Sequence, residues 1–360
     1  MKFVWRGDRV HAFEDAKEPI ERIKGYRYSL SAFTGLTGFW DKERESWGLS
    51  FFEMHLDRIL YTAEYLQLDH GMDRDQLRQA VHEILRFNRP TDPFYVHIGV
   101  RSDDVGIRPV RGGPGKISIF LEGTGAYHPP EGIHAVVLDP EFRDDHQTSR
   151  AKYPRAIPYH LKLNSNYVQY GTMKTEAKEI YAERFEKESG PGAADGIVLG
   201  WQPGCREFFL TECTTSNLIL VDKTDEITLI PKADFILDGI TQRLTQRFAE
   251  EALGCKGRRA RVHITEFREA IRSGDVTVFE TGSSAGLTAI RSVDGVPVKK
   301  WSRLEELQAL YERIRKGDEE RYRDLVEWVE SGPPSADEVI EHRETDRDIR
   351  TADLPFQEQA

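Results

Sequence analysis

The spacing of apolar positions changes character near residue 125. At the N-terminus, KFVWRGDRV alternates around Gly7 and Asp8, which predicts a hairpin turning at those residues. Two amphipathic helices follow. FEMHLDRILYTAEYLQL places Leu56, Ile59, Leu60, Ala63 and Leu66 on one face. DRDQLRQAVHEILRFN does the same with Leu77, Ala80, Val81, Ile84 and Leu85, behind an acidic start that suits a helix N-terminus. FYVHIGVR and ISIFLEG then read as strands, and the glycines and prolines of GTGAYHPPEG mark a linker over residues 123–132.

Past the linker the runs HAVVLD, GIVLGW, EFFLTE, NLILVD, EITLIP and VTVFET are short and β-rich. Helical spacing predicts helices over 164–188, 241–253, 266–273 and 303–315. The expectation is a mixed α+β chain with a small N-terminal α/β domain over 1–122 and a larger domain over 133–330. From 331 to 360 the chain is polar, charged and poor in large apolar groups, so a mobile tail is expected there.

Composition narrows the classes of function. A chain of 360 residues can bury a substantial core, and its net charge of −11 counts against nucleic acid or an anionic membrane as partner. No apolar run approaches the ~18 residues needed to span a bilayer. MKFVWRGDRVHAF has no apolar leader region, and Cys205, Cys213 and Cys255 form neither a metal-binding nor a disulfide pattern. These features predict a globular cytoplasmic enzyme without a metal site.

Candidate chemistry begins with IPYHLKLNSNY, where Lys162 stands among uncharged neighbours just before a helix start. Such a lysine can simply cover apolar surface with its stem. It can also be an amine whose pKa is lowered by desolvation, able to form a Schiff base with a carbonyl. Further along, LDGITQRL opens a helix near Thr241, and VFETGSSAGLTAI runs a strand into a Gly/Ser turn. Each is an ordinary structural feature or a backbone cradle for an anion. Arg58 in HLDRIL is a surface cation or a phosphate partner, and Glu212 ends an apolar strand where a carboxylate needs a partner. Together these are the parts that pyridoxal phosphate requires: an amine for its aldehyde, cations and N–H groups for its phosphate, and an acid for its ring nitrogen.

In their order along the chain these motifs resemble the fold-type IV pyridoxal-phosphate enzymes, the class IV aminotransferases, and most of all the branched-chain amino acid aminotransferases. HLDRI resembles the HxxRL element, with His55 and Arg58, and Lys162, Asn166 and Tyr167 match its Lys-x-x-x-Asn-Tyr element. ECTTSNLIL matches Glu-Gly-x-x-x-Asn-Leu-Phe at Glu212 and Asn217, with Cys213 at a usual glycine. LDGITQ supplies Gly239, Ile240 and Thr241, and GSSAG supplies Gly282, Ser283 and Ser284. The resemblance implies a small α/β lobe, a larger pseudo-barrel lobe, the cofactor between them, and a homodimer. It implies Lys162 as the catalytic residue joined to the cofactor as an aldimine. Arg58, Gly239, Ile240, Thr241 and Ser283 would hold the phosphate, Tyr167 the ring hydroxyl and Glu212 the ring nitrogen. It implies ping-pong transfer of an amino group from a branched-chain or other apolar L-amino acid to a 2-oxo acid. A D-amino acid transaminase, a lyase of the same fold and a secondary-metabolism aminotransferase with an unusual substrate are the alternatives.

The substrate pocket departs from that pattern. YSLSAFTGLT keeps Tyr28, Phe33 and Gly35 of a YGxxxFEGxR segment, but Thr34 and Thr37 replace its glutamate and arginine. In YVHIG, Tyr95 is kept while His97 replaces an arginine. Phe33, Tyr95, His97, Tyr127, Ser283 and Ser284 are the substrate-pocket candidates. The loss of two cations argues against glutamate as amino donor, unless a protonated His97, or Arg101 or Arg108, compensates.

Overall fold

The computed structural model describes residues 2–12, 30–104, 112–125, 127–139, 152 and 158–333. Tyr28, Arg108 and the tail from 334 onward lie outside the described residues. The expected N-terminal hairpin is present: β1 (Phe3–Arg6) and β2 (Arg9–Ala12) pair antiparallel around Gly7, which takes a positive φ. β3 (Ser31–Asp41), β4 (Ser46–Ser50), β5 (Leu68–Asp69), β6 (Phe94–Ser102) and β7 (Gly113–Gly123) join them in one sheet.

Helices α1 (Phe52–Tyr65) and α2 (Arg74–Asn88) cover one face of this sheet. Their apolar stripes explain why: Leu56, Ile59 and Ala63, with Leu77, Val81 and Ile84, are buried against Ala32, Leu36, Val96 and Ile98. An Asp73–Gln76 capping box fixes the start of α2. On the other face, Phe33, Gly35 and Thr37 stand opposite Gly99, His97 and Tyr95. One pleat side of β3 and β6 therefore looks away from the helices.

The second sheet contains β8 (Ile133–Leu138), β9 (Ala194–Gly200), β10 (Phe209–Cys213), β11 (Asn217–Asp222), β12 (Glu226–Leu229), β13 (Lys256–Arg259), β14 (Val276–Gly282), β15 (Gly286–Val293) and β16 (Val296–Pro297). Its order is β10-β9-β8-β15-β14-β11-β12-β13, with β16 on β15. Helices α3 (Asn164–Arg184), α5 (Ile240–Leu253), α6 (Ile264–Ser273) and α7 (Leu304–Arg315) follow the predicted spacing, except that the helix expected over 164–188 breaks at Phe185 and continues as the short α4 (Glu186–Ser189). Among the described residues no helix is long and apolar enough to cross a membrane.

The ending of the described chain differs from expectation. The larger domain is expected to run to 330, whereas β17 (Val326–Glu330) pairs with β4 in the first sheet. Its two half-buried and two buried side chains have no long alternating run to announce them, and the partner strand lies almost 280 residues away in sequence, at Ser46–Ser50.

Between β7 and β8, Gly132 has φ +100°, and a side chain there would press on the backbone carbonyl of Ala289 in β15. Gly132→Ala is therefore expected to cost about 1–3 kcal/mol of stability. The check is the urea midpoint, and an unchanged midpoint would show that the linker relaxes freely.

Candidate active site

The first turn of α3 and the start of β3 hold Lys162 in place. Phe33 N–H donates to the Lys162 carbonyl at 3.1 Å, and Ala32 forms a bridge with Leu163. The amine thus projects between the two sheets. Its Nζ donates to the Tyr167 hydroxyl at 2.8 Å and lies 4.9 Å from the centre of the Phe33 ring. Burial, reinforced by the nearby Arg58 charge, lowers the Lys162 pKa to about 7 against a weaker opposing pull from Glu212. A neutral amine is therefore abundant at neutral pH.

Lys162 shares one inner cavity with Arg58, Tyr167, Glu212, Gly239, Ile240, Thr241 and Ser283. All of the cofactor-site candidates meet there. Arg58 comes from α1, and its Nε and one terminal nitrogen donate to Thr34 Oγ1 at 3.2 and 2.7 Å. That same nitrogen also lies 3.2 Å from His55 Nδ1, and Thr34 Oγ1 lies 2.8 Å from the same ring atom. Arginine can only donate, so Nδ1 is an acceptor and the imidazole proton belongs on Nε2. Burial pushes His55 well below its ordinary value, so the ring is neutral. Burial also lowers Arg58 to about 10. A guanidinium with neutral hydrogen-bond partners, facing a cavity, favours an anion there.

Helix α5 adds to that demand. Its first turn, with Gly239 at the N-cap, has no side-chain cap, and Gly239, Ile240 and Thr241 line the cavity. Uncapped N–H groups at a helix N-terminus suit a phosphate. The Thr281 hydroxyl, on the same wall, is buried without a hydrogen-bond partner among the described residues.

Glu212, on β10, closes the opposite side. Oε1 accepts from Lys152 Nζ at 2.6 Å and from the Tyr170 hydroxyl at 3.3 Å. Oε2 accepts from Asn217 Nδ2 and from the Leu237 N–H, both at 3.0 Å. Four donors match the lone-pair capacity of a carboxylate. Lys152 is fully buried and also donates to the Phe235 carbonyl at 2.9 Å. Sequence reasoning passed over Lys152, because it lies in the polar run RDDHQTSRAKYPR with no periodicity to set it apart. Cys213, at the family's usual glycine, is buried, and burial raises its thiol well above the ordinary range, so it is no nucleophile.

A wider cleft of about 750 Å³ opens from Lys162. Phe33, Tyr95, Tyr127, Ser283 and Ser284 line it, as does Thr37. Tyr95 is hydrogen-bonded to Ser284, and the Tyr127 hydroxyl lies 3.1 Å from Thr215 Oγ1. His97 is placed differently. Its ring is stacked between Phe33, at 5.2 Å, and Phe120, at 4.4 Å, and is absent from the cleft wall. Burial pushes it down to about 4, so it carries no charge at neutral pH and does not replace an arginine. Arg101 is buried and bonded to Asp103 at 2.7 Å, away from the cleft.

An amine poised near neutrality beside an anion-demanding cup and a braced carboxylate is the equipment of a carbonyl-cofactor enzyme. Residues 45–293 match the family described as amino-transferase class IV, and the chain belongs to that family. It is thus an aminotransferase, of a class that depends on pyridoxal phosphate and works on amino acids and 2-oxo acids.

Similar proteins include a probable branched-chain-amino-acid aminotransferase of Synechocystis sp., 23% identical over 89% of this chain and 94% of that protein. The branched-chain-amino-acid aminotransferase of Escherichia coli K12 is 26% identical over 82% of this chain and 86% of its own. The crystal structure of the branched-chain aminotransferase of Thermoproteus uzoniensis with norvaline shares the fold. Its TM-score is 0.76 at 23% identity, covering 91% of this chain and 99% of that one.

Proposed function

We propose that this aminotransferase uses pyridoxal phosphate held in the inner cavity to move the amino group of a branched-chain or other apolar L-amino acid to a 2-oxo acid by a ping-pong route. The observation that carries the reading is the amine of Lys162, lowered to about 7 and 2.8 Å from the Tyr167 hydroxyl, in one cavity with Arg58 and Glu212. Bound there, the cofactor supplies an electron sink for the pair left when a substrate Cα–H bond breaks.

The side chains do the rest. Arg58, the N–H groups of Ile240 and Thr241, and Ser283 would hold the phosphate. Tyr167 would bond the ring hydroxyl and Glu212 the ring nitrogen, braced from behind by Lys152 and Asn217. Neutral Lys162 would take the proton from substrate Cα and hand it to C4′ of the cofactor, a transfer that favours a base whose pKa lies near the working pH. The Tyr95–Ser284 pair stands beside the Ser283–Ser284 turn, whose backbone amides are the candidates for the substrate carboxylate.

Purified protein supplied with pyridoxal phosphate should show the visible band of lysine-bound cofactor. Single-turnover reactions should convert that band with L-leucine, L-isoleucine or L-valine and leave it intact with D-alanine. Rapid conversion by D-alanine but not by L-leucine would overturn the substrate reading. Absence of the band would overturn the cofactor reading.

A further inference from the structure

We infer that Lys174 is a positioning residue for the substrate cleft: from behind the wall it holds the Tyr127 ring and the Thr215 hydroxyl where a bound amino acid meets them. This rests on the aminotransferase reading above and adds to it a buried layer of charge that the substrate does not touch.

The Tyr127 ring lines the wide cleft from the linker, but with 47% of the residue exposed, packing alone does not fix it. Polar neighbours do. Its hydroxyl lies 3.1 Å from Thr215 Oγ1, and Lys174 Nζ stands 5.2 Å from the ring centre. The His128 ring lies at 85° to it, with centres 4.6 Å apart.

Both of these cationic or titratable neighbours are tied to fully buried carboxylates. Lys174 Nζ, on α3, is 3.2 Å from Asp195 Oδ2 on β9, and His128 Nε2 is 2.6 Å from Glu280 Oε1 on β14. Each carboxylate offers its other oxygen to the turn that joins β10 to β11. Thr214 Oγ1 donates to Asp195 Oδ1, and Ser216 Oγ donates to Glu280 Oε2 at 2.6 Å. The turn is thus stitched to the sheet on both sides. Thr215 stands between the two stitches, lines the cleft, and accepts from Lys174 Nζ at 3.2 Å.

Lys174 joins these parts. Its ammonium meets the carboxylate on β9, the hydroxyl of the turn and the aromatic ring of the linker at once, so it sets where they lie relative to one another. Burial by itself would lower its pKa, but the Asp195 charge outweighs burial and holds it above the ordinary lysine value. The cation is therefore present at neutral pH, and its contacts are strengthened by partial shielding from water.

The test uses cofactor-loaded protein and L-leucine. Lys174→Met alone would strand the buried Asp195 carboxylate, so it is combined with Asp195→Asn, whose side-chain oxygen still accepts from Thr214 and from the Gly196 N–H. This pair of substitutions should raise KM about 10-fold, with kcat within about threefold of wild type and the visible band of bound cofactor retained. In a background of Tyr127→Ala with Thr215→Val, the same pair should change KM by less than about twofold, because the groups it positions are gone. A general packing defect would act equally in both backgrounds, and additive effects would overturn the inference. An unchanged KM in the first comparison, or loss of the band, would overturn it too. If the wild type converts D-alanine and not L-leucine, the substrate reading fails, while the same cycle run with D-alanine still decides the role of Lys174.

Discussion

Lys162→Ala should lower the rate of amino-group transfer by about 10³-fold or more, because in the proposed mechanism one side chain both captures the cofactor and moves the substrate proton. The charge-conserving Lys162→Arg should be equally inactive, since a guanidinium offers no neutral amine at neutral pH. Single-turnover absorbance measurements check both. The physical cause is the setting of the amine: burial first and the Arg58 charge second bring its pKa to about 7.

Only the neutral amine attacks a carbonyl. Trapping of pyridoxal phosphate on the apoprotein by borohydride reduction should therefore rise through a midpoint near pH 7. A midpoint near 10 would mean that the amine is solvated, and that this account of its reactivity is wrong. The same depression sets a stability trend. Between the folded value of about 7 and the ordinary 10.5, the unfolded chain binds the extra proton, so apoprotein stability should rise with pH across that window. Apoprotein carrying Lys162→Ala should lose this dependence and gain stability near pH 7, a trade of stability for function.

The second large effect belongs to Lys152. Lys152→Met should cost about 3–5 kcal/mol, because it leaves Glu212 buried without its cation. The two side chains are 0% and 6% exposed, and their ion pair is 2.6 Å long. Cofactor affinity should fall with stability, since the carboxylate assigned to the ring nitrogen loses its rear brace. Adding Glu212→Gln should restore part of the stability but not the cofactor affinity, and that coupling separates a brace from a general packing defect. Urea denaturation of the single and double variants checks this. A loss below about 1 kcal/mol for Lys152→Met would show that the Tyr170, Asn217 and Leu237 donors suffice.

Much of the candidate cofactor site was legible because it is built from short segments. Lys162 and Tyr167 share one helix start, Gly239 to Thr241 another, and Gly282 to Ser284 one turn, so local spacing already groups them. Amphipathic periodicity likewise identified α1, α2, α5 and α7, whose buried faces are set by residues three and four apart. The substrate end of the cleft was a different matter. From the sequence His97 is a candidate replacement cation, but its ring is stacked between Phe33 and Phe120, and a buried imidazole sheds its proton.

By itself, then, the sequence determined the main helices and several of the strands, and it pointed to the lysine and the candidate anion cradles, since each depends on neighbours within about one turn or one strand. Tertiary structure alone decided that Lys152 braces Glu212 from 60 residues away, that β17 returns to the first sheet, and that Arg315 meets Thr37 across 278 residues. Charges act through space: a partner brought near by folding sets whether a buried ion is tolerable and where a cation stands, and no local pattern records that distance.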